Sequence, residues 1–297
     1  MGYVSLPARA RDYVVKALEA FWRLMMHARP THPMRKLAGP MVHRMICLFQ
    51  ERKGTQSTRF FRNVPLLDAL ASLQLRGGGD EALRVAILGC STGAEAYSVA
   101  WALRLACPEL KLRCIAIDIV ESAVAAAREG VYASTSRALE GVPDEMLDLA
   151  FERRSEAFYV RDDLRQDVTF MVGDACSEEL LDKLGPQDIV TANNFLVHMS
   201  DEAAEACLYR IGRTVAPGGV LVVWGINPEI RTRVMTALGF APLPVNLEDI
   251  HQADRPALEA WPLKWWGLEP LDKSRPDWPV RYCTIFRKVE NSPLAVS

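Results

Sequence analysis

The sequence predicts a doubly wound α/β fold on a mainly parallel sheet, with a small helical region ahead of it. Three observations carry this. From residue 84 onwards, apolar runs of strand length alternate with amphipathic helical stretches. The run Arg84-Val-Ala-Ile-Leu-Gly-Cys-Ser-Thr-Gly-Ala-Glu-Ala-Tyr-Ser98 passes from apolar residues through a small-residue turn directly into a helix. Two later apolar runs end in carboxylates, Asp118 and Asp174. In an open parallel sheet the first strand-loop-helix turn lies at the switch point of strand order, where backbone N–H groups and a helix N-terminus can meet a ligand.

Residues 1–76 read as a helical N-terminal cap domain, with Val14, Leu18, Phe21 and Met25 on one stripe. Pro30, Pro33 and Pro40, with Gly39, are expected to divide it into separate helices, and Gly77-Gly-Gly79 to form a joint. Its basic residues, among them Arg9, Arg11, Arg35 and Lys36, read as a solvated face broken by Asp12, Glu19 and Glu51, or as a surface for an acidic partner.

Residues 77–297 form the α/β domain. After the first strand and its helix come a second strand, Leu112 to Asp118, and a helix from Glu121 to Glu129. A third strand lies in Val168–Asp174 and a fourth in Gln187–Ala192, followed by a helix from Asp201 to Val215 capped by Ser200. Gly218–Trp224 is a fifth strand, Arg231–Leu238 a helix ending at Gly239, and Tyr282–Arg287 a last strand. Two segments break the rhythm. Residues 130–167 read as a small subdomain. Residues 242–279 form an insertion rich in Trp and Pro, including Trp261, Trp265, Trp266 and Trp278, which is either a lid over a substrate or packing on the sheet edge.

At 297 residues and 49% hydrophobic, the chain can bury a full core. A net charge of −2 gives no general attraction to nucleic acid or membrane, and no apolar run is long enough for a membrane span. Seven cysteines without a C-x-x-C pair predict a reducing cytoplasmic setting with neither disulfide framework nor zinc knuckle. The histidines show no metal-ligand spacing, so no metal is expected.

The glycine loop suggests the ligand class. Gly89 and Gly93, with Ser91 between them, have G-x-x-x-G spacing rather than G-x-G-x-x-G, and no phosphate-loop Lys follows. Asp118, followed by Ile119, ends the second strand where a carboxylate can accept both ribose hydroxyls, and Asp174 adds another carboxylate after the third strand. The ordered trio of loop, ribose acid and third-strand acid suits S-adenosylmethionine, and with it a class I methyltransferase fold.

The motifs Thr58-Arg-Phe-Phe-Arg62, Cys90-Ser-Thr-Gly-Ala-Glu-Ala-Tyr-Ser98, Asp118-Ile119 with Gly130-Val-Tyr132, and Asn193-Asn-Phe-Leu-Val-His198 followed by Pro217-Gly-Gly219 resemble the chemotaxis-receptor methyltransferases of the CheR type. The resemblance spans roughly residues 40–225. It implies a helical N-terminal domain, an S-adenosylmethionine-binding α/β domain, and methylation of glutamate carboxylates on chemoreceptors. Carried onto this sequence, it implies that Thr58, Arg62, Glu95, Asp118, Asp174, Ala175, Ala192 and Asn193 line the cofactor. Arg62 would orient the methionine or acceptor carboxylate, and Glu95 would take the methionine ammonium. Without the resemblance, Phe60 and Phe61 read as core aromatics and Arg62 as a surface cation.

Departures from the family pattern fall beside the expected acceptor. Where the family shows C-R-N-V-L-I-Y-F, this chain has Ala192-Asn-Asn-Phe-Leu-Val-His-Met199, so Asn193 replaces Arg and His198 replaces Tyr. The family's Glu-Glu-Pro becomes Ala94-Glu-Ala96, and the centre of the small subdomain, Glu152–Glu156, is short and lacks glycine. These changes favour a small-molecule O or N acceptor, with His198 as base or acceptor-binding group. Receptor-glutamate methylation and a non-catalytic binding module are the alternatives.

Overall fold

The computed structural model describes residues 7–27, 32–49, 58–73, 81–253 and 269–290. The strands are β1 (Leu83–Leu88), β2 (Leu112–Asp118), β3 (Val131–Ala133), β4 (Phe151–Arg154), β5 (Ala157–Val160), β6 (Val168–Val172), β7 (Gln187–Asn193), β8 (Val215–Trp224), β9 (Phe240–Pro242) and β10 (Ile285–Lys288). Seven form one sheet in the order β6-β2-β1-β7-β8-β10-β9. β6, β2, β1, β7 and β8 are parallel, and β10 runs against both β8 and β9. The chain lays β2 and β6 to one side of β1 and returns to its other side at β7, so the switch point is the crevice between β1 and β7.

Strand alternation divides the core into two layers. Val85, Ile87 and Ile189 face a layer with α3 (Val64–Ser72), α4 (Ala94–Ala106) and α5 (Glu121–Glu129). Ala86, Leu88, Val190 and Ala192 face the opposite layer, with α8 (Glu178–Leu184), α9 (Asp201–Arg213) and α10 (Pro228–Ala237). Between α5 and β6 lie the short helices α6 (Asp144–Ala150) and α7 (Asp162–Arg165), and the three-stranded antiparallel sheet β3-β5-β4. Its β4–β5 turn needs no glycine, because Ser155 takes the left-handed conformation at φ 52°.

The core strands and α5 match the sequence pattern closely, and later boundaries shift for local reasons. α9 starts at the Ser200 cap, whose side chain accepts from Ala203 N, and stops at Arg213. β8 begins at Val215 rather than Gly218, beside a register shift between Gln187 and Ile189. α10 begins at Pro228 because Asn227 caps Glu229 N and proline suits the first helical turn. β10 starts at Ile285, since Tyr282 ends the short helix α12 (Trp278–Arg281). Within 242–279 the structure adds α11 (Leu247–Ala253). Gly77–Gly79 and Trp261, Trp265 and Trp266 lie outside the described residues.

The N-terminal helices differ from expectation. α1 (Ala8–Met25) and α2 (Pro33–Phe49) pair around Trp22, Val42 and Ile46, with Val15, Leu18 and Met25 against them, whereas Phe21 is exposed. Pro40 lies inside α2 and does not end it. Phe60, Phe61, Leu66, Leu67 and Leu70 join the core of the α/β sheet instead of this helical pair. No described helix is long and apolar enough to cross a membrane.

The expected absence of disulfides is overturned. Cys176, in the loop after β6, is joined to Cys207 on α9, with Cα atoms 5.0 Å apart. Spacing gave no sign of this pair because it is formed by packing of the loop against α9. Closing a loop across 31 positions is worth up to about 3–4 kcal/mol in the chain-entropy account. Reduction, or Cys207→Ser, is therefore expected to lower the urea midpoint, and an unchanged midpoint in reduced and oxidised protein would count against the bond.

Candidate functional site

The pocket lies over the C-terminal ends of β1, β2 and β7, with α3 and the residues preceding it forming the opposite wall. The segment Thr58–Asn63 is anchored by its two phenylalanines. Phe60 is buried against Tyr132 and Phe151, with ring centroids 4.9 and 4.8 Å away. Phe61 packs edge-on to Trp101 at 5.0 Å, has φ 50°, and donates its N–H to Ser98 Oγ at 3.0 Å. Both aromatics belong to the core, and burying them turns Thr58, Arg59 and Arg62 towards the pocket. The T-x-F-F-R motif thus combines two anchors with three pocket residues.

The glycine loop is tied down from several sides. Gly89 N and Cys90 N donate to Ile117 O, and Tyr132 donates its hydroxyl to Thr92 O at 2.6 Å. Gly89 has φ 74°, and a Cβ there would sit 2.8 Å from the Phe195 ring, so only glycine leaves this floor open. Asp118 reaches across: Oδ2 accepts from Ser91 N at 2.7 Å and Oδ1 from Val120 N at 2.9 Å. The carboxylate keeps lone pairs for further donors, since it has about four acceptor sites.

Glu95 stands in the first turn of α4, near the positive end of the helix. Its Oε1 accepts from Thr191 Oγ1 at 2.7 Å and Asn193 Nδ2 at 2.8 Å. Burial raises its pKa, against which the Thr191 and Asn193 hydrogen bonds and the Arg62 charge act. Asp174, beyond β6, accepts from Cys176 N at 2.9 Å, and Ser177 caps α8 immediately after it.

Thr58, Arg62, Gly89, Ser91, Glu95, Asp118, Ile119, Asp174, Ala175, Asn193 and His198 all line this pocket. Two expected contacts do not. Ala192 is fully buried and faces the α9 layer, because strand alternation turns it away from Thr191 and Asn193. Gly93 is buried as the N-cap of α4, packed towards Ala127 and Phe170, and supports the loop from behind. Sequence reasoning missed Thr191, Asn194, Phe195, Trp224 and the α3 leucines Leu66, Leu67 and Leu70, which also line the pocket. Thr191 was accessible to a period-2 argument from Asn193, whereas Trp224 and α3 arrive only through tertiary packing.

His198 closes a short 3-10 turn, Leu196–His198, and lines the pocket. Burial, and then the neighbouring His43, lower its pKa to about 4. Its folded pKa lies below the unfolded value near 6.5, so its contribution to stability is complete above pH 6.5, falls as pH drops towards 4, and levels off below that. The full difference corresponds to about 3 kcal/mol. The stability difference between wild type and His198→Gln should therefore narrow in favour of the variant between pH 6.5 and 4, as read by urea unfolding at each pH. A pH-independent difference would contradict a partly buried, neutral imidazole.

The pocket's polar atoms fit S-adenosylmethionine. Among the described residues, Ser91 Oγ, Asn193 Oδ1 and Asn194 Oδ1 are buried without a hydrogen-bond partner, and buried polar atoms of this kind call for ligand or water. Together with Gly89, Glu95, Asp118 and Arg62 they provide acceptors for an ammonium and ribose hydroxyls, a donor for a carboxylate, and a floor cleared of side chain. Among the described residues, no group of three His, Cys, Asp or Glu could hold a metal ion.

Comparison with known proteins identifies a family match. The family described as CheR methyltransferase, SAM binding domain, matches residues 56–237. Chemotaxis protein methyltransferase 2 of Vibrio cholerae serotype O1 is 28% identical over 172 residues, covering 55% of this chain and 59% of that protein. The probable biofilm formation methyltransferase WspC of Pseudomonas putida is 31% identical over 191 residues, covering 62% of this chain and 44% of that protein. The chain thus spans about half the length of these relatives. Among solved structures, magnesium protoporphyrin IX methyltransferase (ChlM) from Synechocystis PCC 6803 with bound SAM aligns with 82% of this chain and 90% of its own at 15% identity, with a TM-score of 0.38.

Proposed function

The chain belongs to the CheR methyltransferase family through its S-adenosylmethionine-binding domain, and from that premise we propose that it esterifies a glutamate carboxylate on a chemoreceptor-type protein. The family match over residues 56–237 carries this acceptor, and the environment of His198 agrees with it. An imidazole whose pKa is about 4 is too weak a base to draw a proton efficiently from an amine or phenol at neutral pH. A carboxylate is already ionised and needs no base. This reading replaces the small-molecule O or N acceptor, and the general-base role for His198, that the departures at 193 and 198 suggested. The names of the Vibrio and Pseudomonas relatives, chemotaxis and biofilm methyltransferases, point in the same direction.

When bound, S-adenosylmethionine supplies a sulfonium methyl group open to in-line displacement. The chain's own residues then act by alignment, which can contribute about 7–11 kcal/mol to a bimolecular transfer. Asp118 holds the ribose, Glu95 the ammonium, and Asp174 the adenine edge. Arg62 offers a planar guanidinium to a carboxylate, and a neutral His198 can donate one hydrogen bond to the attacking acceptor. Phe195, Met199 and Trp224 shield the space from water. The residues before α3 belong to the same wall, so the cap side contributes to closing the site.

Incubation with methyl-labelled S-adenosylmethionine and chemoreceptor cytoplasmic fragments tests the proposal. The expected product is an alkali-labile ester that releases labelled methanol and is lost when acceptor glutamates are changed to glutamine. Alkali-stable label, or label confined to small amines and phenols, would overturn it.

A further inference from the structure

Thr191, a residue only 1% exposed, carries a hydroxyl on the β7 wall of the pocket, and the roles above leave it unused. Thr191 and Asn193 are two residues apart on one strand, so both side chains point to the α4 side of the sheet. There they meet Glu95, and both donate to the same oxygen, Oε1, at 2.7 and 2.8 Å. The second carboxylate oxygen takes no donor from either residue. Asn193 spends its amide N–H on Glu95, and its buried Oδ1 is without a partner among the described residues.

We propose that Thr191 is the positioning residue of an ammonium seat made by Glu95 Oε2 and Asn193 Oδ1, and that it selects ligands carrying the methionine α-amino group. The proposal rests on the S-adenosylmethionine reading above. Thr191 fixes the carboxylate from one side, Asn193 bridges carboxylate and ligand, and two acceptors of differing charge converge on one cationic group. At this position the family pattern has Arg, a cation with no acceptor. Here a neutral amide offers an acceptor in its place, so more of the attraction for the ammonium falls on a correctly held Glu95.

The charged and titratable groups facing Glu95 are Arg62 from the segment before α3, Cys90 from the glycine loop and Cys114 from β2. Burial pushes both thiols up, so they stay neutral, and Arg62 is the cation that faces the carboxylate from outside β7. Thr191 is therefore one of few groups that favour the ionised form of Glu95 against the burial that favours its neutral form.

The test compares binding of S-adenosylhomocysteine with that of 5′-methylthioadenosine, which keeps the adenosine and thioether and lacks the amino acid. Thr191→Val should weaken S-adenosylhomocysteine about tenfold, as expected for loss of one hydrogen bond to a buried carboxylate, and leave methylthioadenosine unchanged. Thr191→Ser should restore the affinity. Homocysteine-ligand affinity should also fall on acidification with a midpoint higher in Thr191→Val than in wild type. Retained methylthioadenosine binding shows that the variant is folded. Equal losses for both ligands, no loss for either, or an unmoved midpoint would overturn the seat alone. A wild-type protein that binds neither compound would overturn the cofactor reading and the seat with it.

Discussion

Asp118→Ala is expected to weaken S-adenosylhomocysteine binding by about 100-fold, a loss of roughly 3 kcal/mol from two charge-assisted hydrogen bonds to ribose hydroxyls. The substitution acts twice. It removes the ribose acceptor at the end of β2, and it frees Ser91 N and Val120 N, which this carboxylate ties to the glycine loop and to the start of α5. Asp118→Asn keeps one oxygen and should lose less. Calorimetric titration of the three proteins would show the order wild type, Asn, Ala. An Ala variant within threefold of wild type would remove Asp118 from the ribose role.

Gly93→Val should destabilise the fold by about 3 kcal/mol or more, combining backbone strain of about 1–3 kcal/mol with overpacking of about 1–3 kcal/mol. Gly93 has φ 92°, outside the regions that a β-branched residue adopts. A Cβ there would lie 2.9 Å from Ala127 Cβ and 3.1 Å from Phe170 Cζ, both buried in the core between α5 and β6. Ala127 has no rotamer to move, so α4 must shift, taking Glu95 with it. Urea unfolding measures the stability, and cofactor titration on whatever remains folded measures the displacement of Glu95. A loss below about 1 kcal/mol would mean that the loop relaxes more easily than this packing implies.

The two variants separate what is readable in a sequence from what is not. β2 and α5 follow their sequence pattern to the residue, because apolar alternation and the terminal Asp118 are local signals. The placement of Asp118, Glu95 and Gly89 around one pocket was legible for the same reason: a small-residue loop, an acid at the next strand end and a helix N-terminus all lie close in sequence to an apolar run. Ala192 and Gly93 show the limit of motif transfer. Both lie within the right motif, but one faces the wrong side of its strand and the other lies behind the loop.

The N-terminal helices show a second limit. A stripe through Phe21 and one through Trp22 are both compatible with α1, and only the pairing with α2 buries Trp22 and leaves Phe21 exposed. Pro40 likewise reads as a breaker, yet the helix continues through it, since the cost of one lost backbone hydrogen bond can be met by packing.

By itself the sequence determined the class of fold, the position of the ligand loop and the acids that surround it, since hydrophobic period and turn chemistry act over a few residues. Tertiary structure alone decided the Cys176–Cys207 bond, the wall of α3 leucines, the Thr191–Asn193–Glu95 contact and the partial burial of His198. Each of these joins groups distant along the chain, or depends on how much water the packed neighbours exclude. Desolvation is a property of the assembled core, and it lowers the pKa of His198 to about 4, where the residue type alone suggests a value near neutrality.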